Sequence, residues 1–409
     1  MKKFVQPSTA NFELIAPPSK SVLQRMIIIA SLINKKKSII SNINYCNDVN
    51  SSLNLAEQLG ATISKSENKI TIIGSQKLKS TKWNCGESGL CMRVACALSG
   101  LYKEDITILG EGSLLLRETD WLAESLSQIG IDVINHNNRG NTIFTLKNML
   151  NFDLIEIDGT QSSQFISGLL IASAFSSQKQ SFITKNVNSK KYIDLTTNIL
   201  KKFNINIQKS ENTFSISENI SPSSINTFVE GDWSNAAFFL VAGAINGKAI
   251  VRGLQPNSIQ PDKAIIEVLR DVGATVIIEN NQILVKKGDL KSFQYDATQS
   301  PDLFPPLVAL AVNCVGTSRI AGLRRLIQKE SNRAKTLVEE FSKIGCNLTI
   351  EKDTMIIEGT YYEGGSCTSH NDHRIAMCLA IAGLNSKKGI EIKQAETVQK
   401  SFSAFWNFF

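Results

Sequence analysis

The residues of this chain that could do chemistry are cations and hydroxyls placed at the start of apolar segments. One stretch, "PPSKSVLQRMIIIASLI" (17–33), carries Lys20, Ser21 and Arg25 near its beginning and is otherwise almost wholly apolar. A helix that is apolar on every side must be buried. Its first turn has unpaired N–H groups that attract phosphate and carboxylate, so these side chains favour binding of a small anionic ligand.

Five further apolar segments begin with polar residues. These starts are "GESG" near Ser88, "QSSQ" near Ser162, "GDWSN" near Trp233, "SPD" near Pro301 and "NDHR" near Asp372, and the six starts follow one another at spacings of 67, 74, 71, 68 and 71 residues. Serine and aspartate here could be ordinary helix caps, which contribute about 1 kcal/mol and imply no ligand. Caps alone do not explain why Arg93, Gln164 and Arg374 stand at the same point of the repeat.

A second pattern runs in step with these segments: an amphipathic helix, a polar turn and two short alternating strands. It occurs at 56–74, 126–146, 200–217, 269–288 and 341–359. The turns "SEN", "NNRG" and "ENN" favour β-hairpins, and self-similarity at a fixed period predicts a repeat architecture. The sixth unit has no hairpin of its own, so we expect the strand-like segment 2–16 to complete it.

The repeat also predicts the domain organisation. The chain of 409 residues is too long for one ordinary core, and six units of about 70 residues fill it. We expect an α/β (α+β) protein with one domain of residues 19–230 and a second of residues 1–18 and 231–409. The chain would cross between them near 17–20 and 229–232.

Composition excludes several classes of protein. The net charge of +7 favours anionic ligands only weakly, and no basic-aromatic patch indicates nucleic-acid binding. Residues 1–13 are not expected to act as a secretory signal, because no apolar stretch follows their lysines, and the longest apolar run is far shorter than the ~20 residues that span a bilayer. The eight cysteines contain no C-x-x-C pair and are expected to be reduced and buried. A cytoplasmic monomer that binds neither nucleic acid nor membrane is expected.

Seven motifs together carry a family resemblance. They are "PPSKSVLQR", "TQSSQFISGLL", "SKKYIDLT", "SPDLFPPLVALA", "QKESNR", "NDHRIAM" and the late Lys400 in "VQKSF". In this order and spacing the chain resembles the EPSP synthases (3-phosphoshikimate 1-carboxyvinyltransferases) from end to end. The resemblance implies a two-domain inside-out α/β barrel built from six βαβαββ units, three in each domain.

The resemblance also implies an activity and its residues. The enolpyruvyl group of phosphoenolpyruvate would pass to the 5-hydroxyl of shikimate 3-phosphate, in the pathway to chorismate and aromatic amino acids, without metal or organic cofactor. Residues implied for shikimate 3-phosphate are Lys20, Ser21, Arg25, Ser162, Ser163, Gln164, Ser189, Tyr192, Asp302 and Lys329. Residues implied for phosphoenolpyruvate are Lys20, Gly89, Arg117, Gln164, Lys329, Arg333, Arg374 and Lys400.

Addition to phosphoenolpyruvate and elimination of phosphate require proton transfer at two positions. Asp302 is expected to act near the hydroxyl and Glu330 at the methylene carbon. Lys20 would assist as phosphate leaves, and His373 would orient a carboxylate. Lys329 and Arg333 are four residues apart, so we expect them to share one face of a helix; without the resemblance, a solvated helix start would be the simpler interpretation.

The chain departs from the family in one glycine-rich segment. The family usually has N-[AS]-G-T-x-x-R, whereas this chain has "ESGLCMR" with Glu87 for Asn and Leu90 for Thr, and Arg93 is kept. Glu118 follows Arg117 where proline is common. These changes bear on the local geometry of phosphoenolpyruvate binding.

Other functions would require residues that differ from those of this chain. A UDP-N-acetylglucosamine enolpyruvyl transferase would typically have a Lys-Asn pair at the first start and a cysteine within 108–118, and neither is present. An RNA 3'-phosphate cyclase should show nucleotide-binding features and a catalytic histidine. A non-catalytic polyanion-binding repeat protein would need neither Asp302 nor Glu330. A metal site on "HNDH" (370–373) has no further ligand cluster in the sequence.

For an enzyme whose cations are divided between two domains, we expect closure on substrate about a hinge that includes Pro17 and Pro18.

Overall fold

The structure, a computed structural model, describes residues 1–136, 140–218, 220–279 and 282–409. These residues form two compact units, one of Lys20–Val229 and one of Met1–Ser19 with Glu230–Phe409. Each unit has its own hydrophobic core. The turns expected at "NNRG" (137–140) and "ENN" (279–281) lie largely outside the described residues.

The helices alternate between buried and amphipathic ones. They are α1 (Lys20–Leu32), α2 (Asn47–Gln58), α3 (Gly89–Ser99), α4 (Asp120–Gln128), α5 (Ser163–Phe175), α6 (Lys190–Lys202), α7 (Trp233–Asn246), α8 (Ile265–Asp271), α9 (Phe304–Ala311), α10 (Arg333–Lys343) and α11 (His373–Asn385). The odd-numbered helices are the six apolar segments of the sequence, and nearly every residue in each is buried. All six polar starts therefore stand before or within the first turn of a core helix.

In the described part of the chain, six small sheets accompany the helices. Their strands are β1 (Lys2–Val5), β2 (Ala10–Ile15), β3 (Lys37–Ser41), β4 (Thr62–Lys65), β5 (Lys69–Ile73), β6 (Lys82–Asn84), β7 (Ile106–Leu109), β8 (Asp132–Asn135), β9 (Thr142–Lys147), β10 (Leu154–Asp158), β11 (Gln180–Lys185), β12 (Gln208–Ser210), β13 (Thr213–Ile216), β14 (Asn226–Phe228), β15 (Gly247–Arg252), β16 (Thr275–Glu279), β17 (Gln282–Lys286), β18 (Gln294–Asp296), β19 (Thr317–Ala321), β20 (Leu348–Glu351), β21 (Thr354–Glu358), β22 (Gly365–Thr368) and β23 (Ile390–Lys393).

The sheets repeat one topology. In Lys20–Val229 the strand orders are β14-β3-β5-β4, β6-β7-β9-β8 and β10-β11-β13-β12; in the other unit they are β2-β15-β17-β16, β18-β19-β21-β20 and the three-stranded β1-β23-β22. In every four-stranded sheet the first pair is parallel and the others are antiparallel. The three-stranded sheet keeps one parallel pair, β22-β23, and one antiparallel pair, β1-β23. Three related repeats in each half of the described chain confirm the repeat architecture inferred from the spacing.

The N-terminal segment divides differently from the expectation. Only Lys2–Val5 joins the sixth sheet, antiparallel to β23. Ala10–Ile15 instead pairs in parallel with β15, in the sheet of the fourth unit. The prediction that all of 2–16 would complete the sixth unit was therefore wrong. Pro7 lies between the two strands, where its missing N–H and fixed φ interrupt a continuous ladder.

The two passes of the chain at 17–19 and 230–232 lie side by side. The N–H of Asp232 donates to the carbonyl of Pro17 at 2.7 Å, and that of Ser19 donates to Glu230 at 2.8 Å. A Cβ at Gly231 would lie 2.7 Å from the carbonyl oxygen of Gly253, so glycine is required by this close approach.

All eight cysteines are buried, as expected from the sequence. Among the described residues, no helix combines the length and apolar character needed to cross a bilayer.

Candidate active site

The Lys20–Val229 unit contains a buried cation, Arg25. It is 2% exposed, and its Nε donates to the hydroxyl of Thr196 at 2.8 Å. Its Nη1 donates to the Ser21 carbonyl at 2.8 Å and its Nη2 to the Ser167 hydroxyl at 3.4 Å. Burial lowers the pKa of Arg25 to about 10, opposed by Tyr192. Because these acceptors are neutral, they do not cancel the charge that could attract an anion.

Hydroxyl groups lie at the first turns of the neighbouring helices α5 and α6. Ser162 caps α5 by accepting from the N–H of Gln164 at 3.2 Å, and Ser163, the first residue of α5, is buried. Ser189, with a left-handed φ of 59°, begins α6, and its carbonyl accepts from the N–H of Tyr192. Arg25 donates to Ser167 of α5 and to Thr196 of α6, so it contacts the two helices whose starts carry Ser162, Ser163 and Ser189.

Lys20 lies beside an acidic residue that the sequence did not single out. Its Nζ is 2.7 Å from Oδ2 of Asp48, at the start of α2. The amide of Gln24 donates to the carbonyl of Asp48 at 2.9 Å and to the hydroxyl of Ser88 at 2.9 Å. Gln24 thereby fixes Lys20's helix against the starts of α2 and α3.

Two guanidinium groups converge on Gly89. A Cβ built there would lie 2.5 Å from Nη1 of Arg117 and 2.7 Å from Nη1 of Arg93. Arg93 also donates to Oε1 of Gln164 at 2.7 Å and lies over the Trp121 ring at 5.6 Å. Two like charges this close repel, so an anion at the start of α3 would be stabilised. The resemblance assigns Arg93 no role, although the repeat places it near a helix start.

The departure at Glu87 has a structural partner. Its carboxylate accepts from the N–H and the hydroxyl of Ser113, both at 3.4 Å. Ser113 belongs to the 3-10 helix Gly112–Leu116, which Arg117 terminates. Glu87 therefore holds the turn that precedes Arg117, and the neighbouring departure, Leu90, is buried.

In the other unit, Asp302 is the meeting point of three cations. Its Oδ1 contacts Nη1 of Arg333 at 3.0 Å and Nζ of Lys329 at 3.5 Å, and its Oδ2 contacts Nη2 of Arg374 at 2.9 Å. Burial by itself raises the pKa of Asp302, but the three cations outweigh it and hold the pKa well below its ordinary value. Asp302 is therefore ionised at neutral pH.

Arg333 organises the carboxylates around it. Its Nη2 donates to Glu330 at 2.6 Å and to Asp372 at 3.1 Å, while its Nε donates to Asp372 at 2.7 Å. With the Asp302 contact, these bonds use four of the five guanidinium N–H donors. Burial lowers the pKa of Arg333, but Asp372, Glu330 and Asp302 raise it further than burial lowers it. At most one N–H, on Nη1, is left for a ligand.

Lys329 does not belong to the helix of Arg333. Asn332 caps α10 by accepting from the N–H of Lys335 at 3.2 Å, so the helix begins at Arg333. The expectation of a shared helix face was wrong, although both side chains reach Asp302. Burial lowers the pKa of Lys329 to about 8, with Asp302 opposing. Burial also lowers the pKa of Arg325, another cation of this neighbourhood.

Asp262 is a buried carboxylate that sequence reasoning missed. It lies in the 3-10 helix Pro261–Ala264 and accepts a hydrogen bond from the hydroxyl of Ser234, in the first turn of α7. Burial and the charge of Asp302 raise its pKa to about 7, against the effect of Arg374. The polar start "GDWSN" was the only signal that pointed to this neighbourhood.

His373 and Lys400 complete this unit's predicted residues. His373 is buried, with Nδ1 at 3.8 Å from Oδ1 of Asp372. Asp372 also caps α11 by accepting from the N–H of Arg374 at 3.0 Å. Lys400 is buried at the end of the 3-10 helix Ala395–Lys400.

Two groups of side chains have the spacing of metal ligands. One is Glu330, Asp372 and His373; the other is Glu339, Glu340 and His370. In the first, the guanidinium of Arg333 already contacts both carboxylates. In the second, the ammonium of Lys343 contacts both glutamates. Protein cations therefore occupy the carboxylate oxygens that a metal would need.

Comparison with known proteins gives consistent similarities along the whole chain. The model of the family described as EPSP synthase (3-phosphoshikimate 1-carboxyvinyltransferase) matches residues 5–409. A 3-phosphoshikimate 1-carboxyvinyltransferase of Clostridium perfringens is 35% identical over 417 residues, covering 100% of this chain and 98% of the relative. One from Clostridium kluyveri is 34% identical, covering 99% and 96%. The solved EPSP synthase of Acinetobacter baumannii superposes with a TM-score of 0.82 at 25% identity, covering 100% of this chain and 97% of that one.

Proposed function

Because the chain belongs to the EPSP synthase family, we propose that it transfers the enolpyruvyl group of phosphoenolpyruvate to the 5-hydroxyl of shikimate 3-phosphate. The products are 5-enolpyruvylshikimate 3-phosphate and inorganic phosphate, on the route to chorismate. The observation that carries the mechanism is the ionised Asp302 in contact with Lys329, Arg333 and Arg374. Such a group supplies both a base and the cations that an anionic substrate requires.

Asp302 is proposed as the base for the attacking hydroxyl. While three cations hold it, its lowered pKa makes it a weak base. A phosphate or carboxylate that draws those cations towards itself would raise that pKa. Asp302 would therefore gain basicity when its substrates bind, and would accept the hydroxyl proton as the oxygen adds to C2.

Glu330 is proposed to exchange the proton at C3. In its protonated form it would give that proton to the methylene carbon during addition, and the carboxylate so formed would take a proton back from the same carbon during elimination, as phosphate departs with help from Lys20. Its bond to Arg333 at 2.6 Å fixes the carboxylate. Since Arg333 has at most one N–H donor left, we propose that Arg374, Lys329 and Lys400 carry more of the phosphoenolpyruvate charge.

Shikimate 3-phosphate is proposed to bind in the Lys20–Val229 unit. Arg25 supplies a charge whose hydrogen-bond acceptors are neutral oxygens. The starts of α5 and α6 supply N–H groups and the side chains of Ser162, Ser163, Ser189 and Tyr192. A phosphate is the ligand that a helix start with hydroxyls and an arginine favours.

Phosphate release tests this function directly. Wild-type protein with both substrates should release inorganic phosphate, and Lys20→Ala and Glu330→Ala should each reduce turnover at least 100-fold. UDP-N-acetylglucosamine in place of shikimate 3-phosphate should give no release. No release from wild type, or unchanged turnover in both variants, would contradict the proposal and favour a non-catalytic anion-binding protein.

A further inference from the structure

The loop that leads into α11, residues 369–371 ("SHN"), has an unusual backbone. His370 and Asn371 are consecutive and have left-handed φ values of 51° and 56°. Non-glycine residues adopt this conformation infrequently, and it persists where surrounding contacts fix it. The loop is followed directly by Asp372, and Arg374 lies two residues further along, so contacts that fix the loop also position these two residues.

Glu340 holds the loop from the side of α10. Its side chain is 0% exposed. Its Oε2 accepts from the N–H of Thr368 at 2.9 Å, and its Oε1 contacts Nε2 of His370 at 2.7 Å. Lys343 donates to the same Oε1 at 2.7 Å. Burial raises the pKa of Glu340, but the bonds from Lys343 and His370 lower it below its ordinary value. Glu340 is thus an ionised carboxylate buried against the loop.

Gln394 holds the loop from the opposite side. It follows β23 and has a left-handed φ of 56°. Its Oε1 accepts from the hydroxyl of Thr368 and from the N–H of Asn371, both at 3.1 Å. Its backbone carbonyl accepts from the hydroxyl of Ser369 at 3.0 Å. The loop is therefore bonded to the residue that begins the turn of Ala395–Lys400.

The three elements joined through this loop each carry one of the cations proposed for phosphoenolpyruvate. Arg333 begins α10, Arg374 lies in the first turn of α11, and Lys400 ends the 3-10 helix after Gln394. We propose that Glu340 and Gln394 are positioning residues, which act through the loop to set these three cations in one geometry for phosphoenolpyruvate. The inference rests on the proposed function.

Substrate-specific kinetics test the proposal. Glu340→Ala and Gln394→Ala should each raise the KM for phosphoenolpyruvate at least fivefold and leave the KM for shikimate 3-phosphate within twofold. Glu340→Gln keeps an acceptor oxygen for the N–H of Thr368, and Gln394→Glu keeps one for the N–H of Asn371, so both variants should recover most of the loss. Glu339→Ala is the matched control: this neighbour is 44% exposed and pairs with the same Lys343. The variant removes one carboxylate from Lys343 while the bonds of Glu340 to Thr368 and His370 remain, so its KM values should match wild type.

A merely structural role would give a different result. Loss of folded protein lowers kcat and the melting temperature but leaves both KM values unchanged. If the variants show that pattern in assays in which wild type turns over, the positioning role is refuted while the proposed function stands. An equal rise in both KM values would refute the positioning role too. If Glu340→Ala does not fold, the partly buried Gln394 decides the question through Gln394→Ala. Absence of turnover in wild type would instead refute the proposed function.

Discussion

Raising the pH should weaken phosphoenolpyruvate binding through Lys329. Burial places the pKa of this lysine at about 8, so about 90% of it is charged at pH 7 and about 10% at pH 9. If only the charged form binds the anion, the KM for phosphoenolpyruvate should rise about tenfold between these pH values. Phosphate monoesters are already dianionic in this range, because their second pKa is about 6.

The folded protein should become more stable as the pH rises, while phosphoenolpyruvate binding becomes weaker. The pKa of Lys329 is lower in the folded protein than in the unfolded chain, so folding favours its neutral form. Its unfavourable contribution to the free energy of unfolding is present below pH 8 and is relieved as the pH rises from about 8 towards 10.5. A rise in KM caused by unfolding would instead accompany a fall in the melting temperature.

Steady-state kinetics at pH 7, 8 and 9 check this prediction, with Lys329→Arg as the matched variant. Arginine stays charged throughout, so the variant should show a KM for phosphoenolpyruvate that changes less than twofold with pH. A tenfold rise that persists in Lys329→Arg would refute the assignment to Lys329. A flat profile in wild type would refute the physical reasoning from burial.

Three further changes have defined outcomes. Arg25→Ala should raise the KM for shikimate 3-phosphate about 10- to 100-fold, since a charge-assisted hydrogen bond contributes about 1.5–3 kcal/mol; an unchanged KM would count against the phosphate site. Asp262, whose pKa is raised to about 7, favours the protonated form in the folded state. Its stabilising effect is therefore present at low pH and is lost as the pH rises from about 4 to 7. The melting temperature of Asp262→Asn relative to wild type should increase between pH 5 and 8, and a constant difference would contradict this. Gly231→Ala should lower the free energy of unfolding by about 1–3 kcal/mol in urea titrations, because of its contact with Gly253, and an equally stable variant would refute that steric argument.

The sequence was informative where chemistry follows a repeated local pattern. The spacing of the polar starts alone located the core helices and so placed Arg25, Asp302 and Arg374 at or near helix beginnings. The same pattern predicted six units, because each must bury one apolar helix against one small sheet.

Contacts between distant segments could not be read in this way. Asp48, Asp262 and Glu340 acquire their roles from partners that lie 28 or more residues away, and nothing in their local sequence distinguishes them from surface acids. The start of α10 was misplaced for a different reason: the charges of Lys329 and Arg333 suggested one helix face, while the cap at Asn332 determines where the helix begins. Likewise, the alternating pattern of 2–16 suggested one strand-like segment, whereas Pro7 separates it into two strands.

The central claim is that this chain makes a new enol ether at the expense of phosphoenolpyruvate. Phosphorus NMR of a mixture of wild-type protein, phosphoenolpyruvate and shikimate 3-phosphate follows all phosphorylated species together. We predict that the phosphoenolpyruvate signal decreases as inorganic phosphate appears in equal amount. The signal of shikimate 3-phosphate should be replaced by that of one new phosphate monoester, 5-enolpyruvylshikimate 3-phosphate. Phosphate appearing without shikimate 3-phosphate, or no change in any signal, would contradict the account.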